Sequence, residues 1–140
     1  MMKKTFILFI PLIAILLVAC QSQPVMTEEK VTVAGGSYKN ISADELNSMF
    51  KNKGFVLVNV HIPFAGDIPN TDLSIPYDQI TESSYLSQLP ADKNAEIVLY
   101  CRSGRMSQIA SEELVGLGYT KIWNLRGGMD EWEQAGYDLE

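Results

Sequence analysis

Cysteine and histidine are scarce in this chain: Cys20 and Cys101 are the two cysteines, and His61 is the single histidine. That excludes a disulfide framework and leaves no visible His/Cys metal-ligand cluster. Basic side chains are also in the minority, eleven against seventeen acidic, for a formal charge of −6. An acidic chain is a poor partner for nucleic acid and gains nothing from anionic lipid headgroups. No apolar run is long enough for an unaided membrane span; the longest, Thr5 to Ala19, falls short of the roughly 20 residues required. Internal repeats and low-complexity tracts are absent. What remains, 140 residues of ordinary globular composition, suits one domain with a real core.

The N-terminus is a separate object. Met1-Met2-Lys3-Lys4 forms a short basic stretch, Thr5 to Ala19 an apolar one, and Leu17-Val18-Ala19-Cys20 ends it with small residues and a cysteine. This pattern resembles a bacterial lipoprotein signal peptide. The resemblance implies removal of residues 1–19, acyl chains on Cys20, and attachment to the cell membrane facing the extracytoplasmic side. An ordinary signal peptide or an uncleaved anchor remains the alternative. Without Lys3 and Lys4 nine basic residues face the seventeen acidic ones, a charge of −8. A lipidated Cys20 would leave Cys101 without a partner in an oxidising compartment, where a lone thiol calls for a functional explanation.

Residues 20–37 are polar, contain Pro24 and Gly35-Gly36, and are expected to be a flexible tether, with Val31 to Val33 as an alternative early edge strand. A folded domain is expected over residues 38–140. Tyr38 to Ile41 suits a short strand, and Ser42-Ala43-Asp44-Glu45 matches a capping box opening a helix that stops at Gly54. Phe55 to Val60 and Glu96 to Tyr100 are continuous apolar runs, as strands buried on both faces require. Three prolines between Ile62 and Pro76 make that stretch irregular, and Tyr77 to Leu89 is modestly helical. Ser107 to Leu117 reads as a helix burying Ile109, Ala110, Leu114 and Leu117. Lys121 to Asn124 suits a third strand, and Gly127-Gly128 opens a short final helix. Alternating strands and helices predict an α/β fold, a small parallel sheet with helices on both faces.

Cys101 falls at the carboxyl end of a predicted strand, where open parallel sheets collect their ligand sites. The helix that follows offers unpaired N–H groups and partial positive charge, which favour a thiolate, the nucleophilic form. Arg102 and Arg105 add positive charge, and Gly104 permits the tight turn that converges N–H groups. The chemistry suggested is covalent, thiolate attack with loop amides holding the resulting anion. A packed, inert cysteine would not account for the two arginines and the glycine. A cysteine phosphatase or arsenate reductase would need an arginine where Ser107 stands, and a histidine where Tyr100 stands.

The loop Cys101-Arg102-Ser103-Gly104-Arg105-Met106-Ser107 resembles the active-site loop of single-domain rhodanese-like sulfurtransferases. Leu125-Arg126-Gly127-Gly128-Met129-Asp130-Glu131-Trp132, followed by Ala135-Gly136-Tyr137, resembles the family's C-terminal signature. The resemblance implies that Cys101 takes a sulfane sulfur from a donor such as thiosulfate or a polysulfide. The resulting persulfide, cradled by backbone amides from Arg102 to Ser107, would pass its sulfur to a thiol or cyanide. Arg105 would meet an anionic donor, and the resemblance implies no metal and no organic cofactor. A non-catalytic rhodanese-fold module, carrying sulfur or binding a partner protein, is the second reading.

The likeness breaks at Val58-Asn59-Val60-His61, where family members commonly carry Asp-x-Arg. Asn59 and His61 replace both charges, and His61 becomes a candidate accessory residue able to move a proton or hold a donor. Downstream, Asp67, Asp72 and Asp78 would place acid near the pocket and oppose a dianion such as thiosulfate. Phe64 and Tyr77 are expected at its entrance, and Trp123 and Trp132 in packing.

Overall fold

A computed structural model describes residues 28–140, so Cys20 and the segment before it lie outside the described residues. The elements in chain order are β1 (Glu29–Val33), β2 (Gly36–Ile41), α1 (Ala43–Met49), β3 (Val56–Asn59), β4 (Leu73–Ser74), α2 (Ser83–Leu86), β5 (Ile97–Tyr100), α3 (Arg105–Gly116), β6 (Ile122–Leu125) and α4 (Gly128–Gln134). Short 3-10 turns occupy Phe50–Asn52 and Tyr77–Gln79. The strands build one sheet in the order β1-β2-β6-β5-β3-β4, parallel except for the β1–β2 hairpin. The α/β class with a mostly parallel sheet is as expected.

The hairpin corrects the domain boundary. Residues 29–37, assigned to the tether, instead pair Glu29 with Asn40 through Val33 with Gly36. Val31 and Val33 pack against the core while their neighbours face water, so Val31 to Val33 is indeed an edge strand. The polar composition is that of a strand with one solvated face.

Strand alternation sorts side chains into two cores. Ile97, Leu99 and Cys101 face α3, together with Val58, Val60, Ala110 and Leu114. Val98 and Tyr100 face the opposite layer, with Leu46, Leu57, Met129 and Trp132. Cys101 thus continues the buried row of β5 by one step. The α3 face is rotated relative to the expected one: Ser107, Ala110, Ser111, Leu114 and Val115 are buried, while Leu117 is exposed. Ser111 can be buried because its hydroxyl donates to the Ser107 carbonyl at 2.7 Å.

The capping box opens α1 as expected. Glu45 N–H donates to Ser42 Oγ at 3.2 Å, and Ser42 N–H donates to Glu45 Oε2 at 2.7 Å. Trp132 is buried, donates from Nε1 to the Asp138 carbonyl at 2.9 Å, and meets Phe50 edge-on. No helix among the described residues is long and apolar enough to cross a membrane.

Candidate active site

The turn from β5 into α3 is made by Cys101 to Gly104. Gly104 has φ +96°, and a Cβ at this position would overlap the carbonyl oxygen of Arg126. Both the left-handed backbone and the close approach therefore require glycine. The turn directs the Gly104 N–H at Cys101 Sγ, 3.0 Å away. Ser107, buried on the first turn of α3, brings Oγ to 3.5 Å from the same sulfur and 3.1 Å from the Gly104 carbonyl. Its single proton can serve one acceptor at a time, so the hydroxyl can swing to the sulfur when negative charge develops there.

A second segment holds the loop from outside. Gly128, at φ +59°, lies so close to the Cys101 and Arg102 carbonyls that a Cβ would overlap both. Its neighbours donate to those carbonyls: Met129 N–H to Cys101 O and Asp130 N–H to Arg102 O, each 2.9 Å. Glu131 secures this turn by accepting from Gly127 N–H at 2.9 Å. The Gly-Gly signature is therefore the clamp on the Cys101 loop.

Of the predicted loop residues, Cys101, Gly104 and Ser107 are buried, Met106 is half-buried, and Arg102, Ser103 and Arg105 are exposed. Arg102 Nε lies 3.5 Å from Asp130 Oδ1, an exposed pair that adds little stability. Sequence reasoning passes over Asp130, whose only signal is its place after the Gly-Gly pair. The described residues contain no cluster of metal-ligating side chains.

His61 follows β3 at the same end of the sheet, because Val60 N–H donates to the Tyr100 carbonyl at 2.8 Å. Burial and the Arg102 charge lower the His61 pKa, against an opposing contribution from Asp130, so the ring favours its neutral form. Its Nδ1 is buried without a partner. Asn59 donates to the Gly66 carbonyl at 3.0 Å and to Asp67 Oδ1 at 2.8 Å, and accepts from His61 N–H at 3.0 Å. Tyr100 joins the same network, donating to Asp67 Oδ1 at 3.0 Å and accepting from Ile68 N–H at 3.0 Å. Hydrogen bonds thus occupy the place where an Asp-x-Arg ion pair was expected to be missing.

Two of the three acids are engaged away from the cysteine. Asp67 faces Asn59 and Tyr100, Asp72 accepts from Leu57 N–H and Lys53 toward the amino end of β3, and Asp78 is exposed. A cavity of about 290 Å³ beside His61 has Phe64 in its wall, whereas Tyr77 packs into the core.

The family model described as a rhodanese-like domain matches residues 42–135, a span that holds both the Cys101 loop and its Gly-Gly clamp. A mitochondrial protein of Schizosaccharomyces pombe, provisionally named a thiosulfate sulfurtransferase, is 31% identical over 67% of this chain and 79% of its own length. The thiosulfate sulfurtransferase GlpE of Pseudomonas syringae is 27% identical over 68% of this chain and 87% of its own. In other relatives the matched region is about half of the protein. A rhodanese-like domain protein of Staphylococcus aureus has a solved structure that superposes with a TM-score of 0.59 at 31% identity, covering 72% of this chain and 95% of that one.

Proposed function

Since the chain belongs to the rhodanese-like sulfurtransferase family, we propose that it moves sulfane sulfur through a persulfide on Cys101. The observation that carries this reading is the Gly104 N–H aimed at Cys101 Sγ at 3.0 Å, in a loop closed too tightly for any side chain at Gly104. A fixed N–H donor stabilises negative charge on sulfur in the ground state and on the departing thiolate. With thiosulfate as donor, the Cys101 thiolate bonds to the outer sulfur, the donor's S–S bond breaks, and sulfite leaves with the electron pair. A thiol or cyanide then removes the sulfur and regenerates the thiolate. Arg102 and Arg105, exposed at the mouth, supply the charge that draws an anionic donor. The lipid on Cys20 would hold this chemistry at the extracytoplasmic face of the cell membrane.

The test is the mass of the Cys101-bearing peptide after the full chain, in detergent, is treated with thiosulfate or polysulfide. A gain of one sulfur that cyanide removes is expected, with none in Cys101→Ser. A folded, reduced chain that gains no sulfur from any donor would refute the proposal.

A further inference from the structure

The cavity beside His61 is set against the carboxyl ends of β3 and β4. Tyr77 N–H donates to the Val60 carbonyl at 3.1 Å, carrying the strand pairing past β4, and Val60 in turn is bonded to the end of β5. The cavity therefore lies at the carboxyl end of β3, the strand that pairs with β5 and so neighbours the one leading into Cys101. Its wall is mainly apolar, with Ile62, Phe64, Ile75, Pro76 and Tyr85, and no Asp, Glu, Lys or Arg among the described residues lines it. Phe64 is 67% exposed in this wall, which leaves a ring face free to cover a ligand.

The polar groups in this wall are not equally available. Asn59 spends both ends of its amide on Gly66, Asp67 and the His61 backbone. His61 is different: Nδ1 has no partner, so no hydrogen bond from that nitrogen pins the ring. His61 thus keeps an uncommitted ring nitrogen while lining the cavity. Burial and Arg102 favour the neutral imidazole, with Asp130 opposing, and a neutral imidazole can accept a proton. An apolar wall with a neutral polar group does not compensate a dianion, which would lose its hydration there.

We propose that this cavity seats the sulfur acceptor, a small organic thiol with an uncharged apolar body, and that His61 takes the proton of its S–H as the thiol attacks. The proposal rests on the Cys101 persulfide reading. The acceptor sulfur bonds to the outer sulfur of the persulfide. The bond from that sulfur to Cys101 Sγ breaks, and its electron pair leaves on the Cys101 thiolate. The acceptor's proton passes to His61 and then to solvent. The products are an organic persulfide and free Cys101, with no external oxidant or reductant consumed.

The experiment loads the full chain in detergent with polysulfide, removes excess donor, and follows discharge by propanethiol, by mercaptoethanesulfonate and by cyanide. The pH is set alkaline enough for cyanide to be the free anion while propanethiol is still largely protonated. Cyanide then needs no proton removed, so the ratio of thiol to cyanide rates isolates the His61 step. In His61→Ala this ratio falls about tenfold or more, and added imidazole restores part of it. In Phe64→Ser, an exposed position that leaves the core intact, the preference for propanethiol over the sulfonate shrinks. A ratio unchanged in His61→Ala, on a chain that loads sulfur, overturns the role given to His61. Equal rates for propanethiol and the sulfonate in the unaltered chain overturn the uncharged acceptor. Both failures leave the persulfide standing, whereas a chain that takes up no sulfur overturns the persulfide and the acceptor site together.

Discussion

Tyr100 joins strand β5 to the loop around Asp67. Its hydroxyl accepts from Ile68 N–H, donates to Asp67, and lies 2.7 Å from Thr71 Oγ1. Burial is the largest cause raising its pKa above the usual 10.0, with Asp67 adding and the Thr71 and Ile68 bonds opposing. The folded chain keeps this proton at alkaline pH where the unfolded chain releases it. Stability is therefore fully present below pH 10.0 and falls as pH rises above it. Tyr38, also raised by burial and then by Glu112 and Glu29, acts in the same sense. Tyr100→Phe should cost about 1–3 kcal/mol at neutral pH, because it leaves the buried Ile68 N–H without an acceptor. It should also lose less stability than the parent between neutral and alkaline pH. Thermal melts of the two chains across that range measure both effects.

At the level of elements, the start of α4 is what shapes the Cys101 loop. Gly128→Ala forces a Cβ against the Cys101 and Arg102 carbonyls at a left-handed φ, so the loop or the helix start must move. A destabilisation of about 1–3 kcal/mol is expected from the strain. Sulfur loading should fall more than this stability loss explains, since the Gly104 donor shifts with the loop. Loading rate on the folded fraction, compared with the melting midpoint, separates the two. Much of this arrangement is legible in the sequence. Ser42 and Glu45 announce their helix because a capping box is local, and Gly104 and Gly128 fall in contiguous motifs. The contacts that join those motifs span distances no local pattern records. The Asn59–Asp67–Tyr100 network is one such case, and the pairing of Arg102 with Asp130 is another. The α3 face escapes the hydrophobic pattern because two buried serines, Ser107 and Ser111, look polar until their hydroxyl partners are known. Strand β4 has two residues, too few for any periodicity.

The whole molecule depends on the hairpin that sequence composition assigns to the tether. β1 pairs along the length of β2 and covers its outer edge, while Tyr38, 2% exposed, lies beneath Val31 and Val33 in the same core. A chain shortened to begin at Gly36 bares that edge and part of this core. It should melt at lower temperature than one beginning at Glu28 and should scatter light on standing, because an open strand edge templates association. Calorimetry and light scattering on the two chains test this. A chain cut at Tyr38, the boundary composition alone suggests, would be expected to behave worse still.

The sheet order also governs how the chain is assembled in time. β6 lies between β2 and β5, yet among the described strands it is the last in sequence and leaves the ribosome after both. Until it emerges, the N-terminal hairpin and the β3–β5 pair are two unjoined pieces, each with a bare edge. Closure is then a single late event that joins contacts far apart along the chain, the kind of topology that folds slowly. The domain's sheet is therefore expected to stay in two parts during synthesis until β6 has been made.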